Sequence, residues 1–217
     1  MTVTDPVALS GRAGPSEFTQ PASDERVQRA IAALAKHGVT ASVVESSAEA
    51  RAAVGALLPD GAEVYNNTSR TLEATGIAED IERSGRFQAL RLRLYQMDRE
   101  MQRREMRTLA ASPQYVVGSV HALTEEGALM IASASGSQLG PLVSGAERVI
   151  FVIGAQKIVP DLDTGLRRIY EYCFPLEDAR ARGAYGVPSG VNNILIINRV
   201  VMTGRITAIV VKESLGF

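Results

Sequence analysis

The sequence predicts an α/β protein with a mainly parallel sheet covered by helices on both faces. Two observations carry this. Short runs rich in Val and Ile alternate with segments of helical period. Several of those runs are apolar on both alternations, as a strand buried on two faces requires. A third observation adds one antiparallel pair. The last two runs are joined by Met202-Thr203-Gly204, a connection of hairpin size, so an antiparallel hairpin is expected at the C-terminal end.

Taken in order, residues 1–22 hold Pro6, Gly11, Gly14, Pro15 and Pro21 without a sustained period and read as a mobile tail. A single domain is expected over 23–217, because 217 residues suit one domain better than two. Asp24 reads as an N-cap, Val27, Ile31, Leu34 and Ala35 repeat at helical spacing, and Gly38 follows as a stop. Val39 to Val44 is a short strand. Ser47 caps a helix through Ala50, Val54 and Leu57 that ends at Pro59. Ala62 to Tyr65 is a strand running into Asn66-Asn67-Thr68-Ser69, which caps a helix through Leu72, Ile77 and Ile81.

Phe87 to Tyr95 alternates like a strand at Leu90, Leu92 and Leu94, yet its residue types favour helix. A charged helix follows from about Asp98 to Ala111, closed by Ser112-Pro113. Tyr115–Val120, Ala128–Ala132, Val149–Ile153, Ile194–Asn198 and Ile206–Val211 are the strand-like runs of the second half. One long helix interrupts them through Leu162, Leu166, Ile169 and Leu176, with Pro175 expected to kink or divide it.

Composition excludes several functions. A net charge of −1 leaves no overall footprint for nucleic acid, and Arg99 to Arg107 alternates with Glu100 and Glu105 like a solvated helix face. No apolar run reaches membrane-spanning length, and the first residues lack a basic stretch followed by an apolar core, so a cytoplasmic protein is expected. One cysteine and two histidines make a structural metal unlike this chain, and no cofactor is expected. There is no G-x-G-x-x-G and no G-x-x-x-x-G-K.

Ligands of open α/β sheets bind beyond the carboxyl ends of the strands. That rule selects four loops. Thr124-Glu125-Glu126-Gly127 is either a solvated β-turn or the seat of a working carboxylate. Ser133-Ala134-Ser135-Gly136-Ser137-Gln138 is an ordinary loop, or an anion site if Ser137 starts a helix through Leu142. Gly154-Ala155-Gln156-Lys157 carries a surface lysine or an anion-binding one. Pro188-Ser189-Gly190-Val191-Asn192-Asn193 is a turn or a set of hydrogen-bonding ligands. His121 stands three residues before the acidic turn, as a general base or a satisfied strand-end histidine. Cys173, between Tyr172 and Phe174, reads as core.

Gly118-Ser119-Val120-His121-Ala122-Leu123-Thr124-Glu125-Glu126-Gly127 resembles the signature of the lactate-utilisation (LUD) domain, with Glu125 at the acidic position and Gly127 at the glycine. Gly154-Ala155-Gln156-Lys157-Ile158-Val159 and Pro188-Ser189 are similar to two further segments of that family. The resemblance spans residues 113–217. It implies a Rossmann-like three-layer sandwich, kinship with glucosamine-6-phosphate deaminase, ribose-5-phosphate isomerase and the CoA transferases, and a small anionic metabolite as ligand: a hydroxy or keto acid, a sugar phosphate or a CoA ester. Glu125 would be the catalytic or anchoring carboxylate. Gly127, Ser135, Gly136, Ser137, Lys157, Ser189 and Asn193 would bind the ligand. Iron–sulfur proteins or further copies of the chain are the implied partners. An accessory subunit of a metabolic oxidoreductase, or a CoA-transferase-like enzyme using Glu125, are the alternatives. Lactate-oxidising members follow Pro-Ser with a threonine and then an aspartate. Val191 and Asn193 stand in those places here, which implies a divergent branch.

Overall fold

A computed structural model describes residues 16–217. Residues 1–15 of the expected tail lie outside the described residues. Residues 16–22 are not a loose tail. Ser16–Phe18 forms a 3-10 turn, Phe18 is 3% exposed, and Ala22 N–H donates to Ala155 O at 3.2 Å. A tail reading fails there because Phe18 has an apolar pocket to fill.

Helix α1 (Asp24–Lys36) begins where the Ser23 hydroxyl accepts the Arg26 N–H, and it buries Val27, Ala30 and Leu34. Next come β1 (Thr40–Val44), α2 (Ser47–Leu57), capped by the Ser46 hydroxyl, and β2 (Glu63–Asn66). The helix expected through Leu72 and Ile81 is two, α3 (Arg70–Ala74) and α4 (Ile77–Arg83). Gly76, at φ 74°, turns the chain between them. Gln88–Ala89 is a two-residue strand, β3, and Leu90–Gln96 is helix α5, so helix propensity prevails over the alternation of leucines. Helix α6 spans only Arg103–Ala111, because the Asp98 carboxylate accepts the N–H groups of Glu100 and Met101 and holds a separate turn before it.

The second half supplies β4 (Tyr115–Gly118), β5 (Ala122–Thr124), β6 (Leu129–Ser133), β7 (Arg148–Gly154), β8 (Ile158–Val159), α7 (Leu162–Arg167), α8 (Phe174–Tyr185), β9 (Asn193–Ile197) and β10 (Ile206–Val211). A π-helical turn, Arg168–Cys173, joins α7 to α8 without a break. Its looser winding accommodates Pro175, which has no N–H to donate.

Six parallel strands form one sheet in the order β1-β10-β7-β4-β2-β3. A second, mixed sheet has the order β8-β5-β6-β9, with β6 antiparallel to both β5 and β9. Alternation explains the layers. Val149, Phe151 and Ile153 of β7 face α1 and the small sheet, while Ile150 and Val152 face α2, α3 and α4. On β6, Leu129 and Ile131 point into the same central layer, and Met130 and Ala132 meet Phe18 and Ile169 on the outside.

The expected C-terminal hairpin does not form. The turn closes as anticipated, with Arg205 N–H donating to Met202 O at 3.0 Å, but β9 and β10 lie in different sheets. Val200 N–H donates to His37 O at 2.8 Å, anchoring the connection on the end of α1. Strand β10, buried along nearly all its length, takes a central position between β1 and β7.

Candidate functional site

The carboxyl ends of β2, β4, β7 and β10 open on one cavity of about 250 Å³. Its walls include Asn67 after β2, Ser119 and His121 after β4, Lys157 after β7, and Phe217 beyond β10. The serine loop after β6 and the segment around Ser189 close the other side. Asn67 can lie against β4 because Gly118 has no side chain; a Cβ there would stand 2.9 Å from Asn67 Nδ2.

Lys157 is 2% exposed. Four oxygens surround its ammonium and share its three N–H groups: Thr71 Oγ1 (2.9 Å), Ser119 Oγ (3.2 Å), Val120 O (3.1 Å) and Phe217 O (3.0 Å). Among the described residues no Asp or Glu side chain pairs with it. Burial, and after it the charge of Arg168, push its pKa down to about 7.

His121 is neutral. Burial first, then the charges of Lys157 and Arg168, push it down to about 3. Its Nδ1 accepts the Ala132 N–H at 3.1 Å, which places the ring proton on Nε2. Behind it, the fully buried Arg168 donates through Nη1 to His121 O and to Cys173 Sγ. Arg168 Nε and Nη2 have no hydrogen-bond partner among the described residues, though the guanidinium lies over the Tyr172 ring at 5.2 Å. Burial raises the Cys173 thiol pKa, so Cys173 is an uncharged wall of the cavity. Arg180, paired with Glu177 at 2.7 Å on both nitrogens, lies at the same cavity.

Four expected site residues meet here: Ser135, Ser137, Lys157 and Ser189. Ser189 is fixed by its N–H donating to Asp178 Oδ1 at 2.8 Å. Ser137 sits in the turn before a helical segment that starts at Leu139 and continues as a π-helical turn, Pro141–Gly145, so the expected helix through Leu142 begins two residues late. The Gly136 N–H donates to Ser133 Oγ at 3.0 Å and the Ser137 N–H to Ser135 Oγ at 3.4 Å, so local hydroxyls occupy the groups expected to receive an anion. Gly136 and Asn193 lie beside each other, just outside the cavity lining, and Asn193 opens β9.

Glu125 and Gly127 lie elsewhere. The β5–β6 turn packs on α1, and Glu125 accepts Arg26 Nε at 2.5 Å on Oε1 and Arg29 Nε at 2.7 Å on Oε2. Burial alone would raise its pKa, but the two guanidiniums outweigh that and hold the carboxyl below its ordinary range. Gly127 has φ 88°, and a Cβ there would stand 3.0 Å from the main chain of Ala33 and Leu34. The turn is thus a clasp between sheet and helix, and neither residue lines the cavity.

In the sequence His121 stands out as a candidate and Asn67 reads as part of a helix cap, whereas Ser119 and Arg180 carry no mark of a site. The strand-end rule could have found Asn67 and Ser119, since both directly follow strands. Nothing local marks Arg180, which arrives from a helix far along the chain.

A six-stranded parallel sheet flanked by helices, with a mixed second sheet beside it, defines a Rossmann-like α/β protein. The chain belongs to the LUD domain family, whose model matches residues 27–211. In architecture it is similar to the crystal structure of a DUF162 family protein from Deinococcus radiodurans, with a TM-score of 0.54 and 14% identity over 88% of this chain and 99% of that one. No curated protein matches the chain. No helix among the described residues is long and apolar enough to cross a membrane.

Proposed function

We propose that this LUD-domain protein binds a small anionic metabolite in the cavity at the strand ends, with Lys157 as the electrostatic anchor. One observation carries the reading. Lys157 is a buried cation with no side-chain carboxylate to neutralise it, at the ligand-binding end of a parallel sheet. No Asp or Glu side chain among the described residues balances that charge, and an anion in the cavity would do so alongside the oxygens that hold the ammonium. His121 Nε2–H and the hydroxyls of Ser119, Ser135, Ser137 and Ser189 are suited to an oxygen-rich ligand. The cavity volume is about 250 Å³, below the roughly 300–1,000 Å³ of drug-sized sites, and favours a hydroxy or keto acid or a sugar phosphate over a CoA ester.

Glu125 has no part in this reading, because both its oxygens are committed to α1. Titration calorimetry with short hydroxy acids, keto acids and sugar phosphates tests it. At least one class binds the native chain, and Lys157→Gln and Ser119→Ala each weaken it tenfold or more. No heat from any of the three classes, or full affinity in both variants, refutes the assignment.

A further inference from the structure

Twenty-three residues of the chain are Lys or Arg, and only three of them are lysines: Lys36, Lys157 and Lys212. Lys36 is exposed at the end of α1, and Lys212 pairs with Asp24 at 3.0 Å and Glu45 at 3.1 Å. Of the three, Lys157 alone is buried. Elsewhere the fold buries arginine when it needs a cation for structure. Arg205 donates to the main-chain oxygens of Pro141, Leu142 and Ala146, and Arg168 donates to that of His121. Arginine stays charged at any working pH, whereas a buried lysine can lose its proton and become a nucleophile. A lysine at the cavity therefore offers a chemistry that the arginines do not.

The oxygens around Lys157 Nζ suit an amine as well as an ammonium. An ammonium has three N–H groups; an amine has two and a lone pair. The main-chain oxygens of Val120 and Phe217, at 3.1 and 3.0 Å, only accept, and they take two N–H groups in either state. The hydroxyls of Thr71 and Ser119, at 2.9 and 3.2 Å, accept from the ammonium or turn to donate to the lone pair. A carboxylate in their place would hold the proton on nitrogen, and no Asp or Glu side chain among the described residues takes that place. Ser119, the farthest of the four, lines the cavity beside Lys157, and Thr71 does not. A lone pair shared with Ser119 is thus on the cavity side. Burial and the nearby charge of Arg168 both favour the neutral amine.

We propose that Lys157 condenses with the carbonyl of a short 2-keto acid in the cavity to form a protonated imine. This rests on the reading of the cavity as an anion site and adds a covalent step to it. The Nζ lone pair attacks the carbonyl carbon while the C=O π pair moves to oxygen. One proton passes from nitrogen to that oxygen, with the Ser119 hydroxyl placed to relay it, and a carbinolamine results. The nitrogen lone pair then expels the hydroxyl group, which takes up one proton from solvent and leaves as water. Nothing is oxidised or reduced. The iminium keeps the positive charge of the ammonium, and the ligand's own carboxylate, attached to the imine carbon, balances it. A 2-hydroxy acid has no carbonyl to condense, so the step separates the two classes of acid.

The test uses the full chain at pH 7 with pyruvate or glyoxylate and sodium cyanoborohydride, which reduces an iminium to a stable secondary amine. The intact mass is expected to rise by one keto acid less one oxygen atom. Tryptic mapping is expected to place the adduct on Lys157, as a lost cleavage, at roughly ten times or more its level on Lys36 and Lys212. Lactate in place of the keto acid gives no adduct. Lys157→Arg keeps the cation and loses the mass gain, whereas a folded variant that gains the same mass overturns the assignment. Calorimetric binding of either keto acid without an adduct at Lys157 overturns the imine and leaves the anion site standing. Neither binding nor adduct removes both. Adducts spread evenly over the three lysines also overturn the imine, because ordinary amine reactivity would then explain them.

Discussion

Replacing Glu125 by Gln separates a structural carboxylate from a functional one. The side chain is 17% exposed and each oxygen accepts one guanidinium N–H from α1. Gln keeps the shape, loses the charge and offers one acceptor in place of two. Arg26 is two-thirds shielded, and a hydrogen bond between charged partners of that kind contributes about 1.5–3 kcal/mol. Arg29 is too exposed to add a dependable amount. The expected loss is therefore about 2 kcal/mol, or a melting temperature lower by about 4–8 °C for a chain of this size. The carboxyl has a lowered pKa in the folded state, so its stabilisation is present above the ordinary carboxylate range and fades as pH falls through the folded value. Urea unfolding should thus give a large difference between native and variant at pH 7 that shrinks as the pH is lowered below the ordinary carboxylate range. Anion binding should be unchanged. A Glu125→Gln protein as stable as the native one at pH 7, or one that keeps its stability but loses anion binding, would refute the clasp.

Lys157 predicts the opposite pH trend. Its folded pKa is near 7 against an ordinary 10.5, so above pH 7 the unfolded chain holds the extra proton and stability rises with pH, by up to about 1.4 kcal/mol per unit. Urea unfolding across pH 7–10 should show this rise in the native chain and not in Lys157→Met; parallel profiles count against a proton-losing lysine. An anion bound beside Lys157 raises that pKa, so affinity measured by calorimetry should fall up to about tenfold per pH unit above 7. Gly127→Ala should cost about 1–3 kcal/mol, combining a left-handed φ with contact against α1, and thermal melts would read it. Phe18→Ala should cost about 3–5 kcal/mol if residues 16–22 belong to the fold, and a melt unchanged from native would return that segment to the tail.

The layered α/β architecture was legible because it rests on local periods. The both-face apolar pattern of Val149–Ile153 and Ile206–Val211 requires a covered strand, and both are central in the large sheet. The acidic turn and Gly127 were also legible as special positions. Their partners were not. The arginines that take Glu125 lie some hundred residues earlier, on an α1 whose stripe of Val27, Ala30 and Leu34 says only that one face is buried. The same local signal, an acidic residue before a tight glycine turn, fits a nucleophile and a clasp equally well.

By itself the sequence determined most of the helices and the longer strands, which faces of them are apolar, and that the strand-end loops carry the polar residues; it left Phe87–Tyr95 undecided and did not mark the short strands β5 and β8. Only the tertiary structure decided that β9 leaves β10 for a second sheet, that Lys157 is buried among four oxygens while Glu125 is held on α1, and that Asn67, His121 and Arg180 share one cavity with it. The physical reason is range. Backbone preference and hydrophobic period act over a few residues and can be read in order, whereas pairing of charges and closure of a cavity depend on which distant segments the packed core brings together.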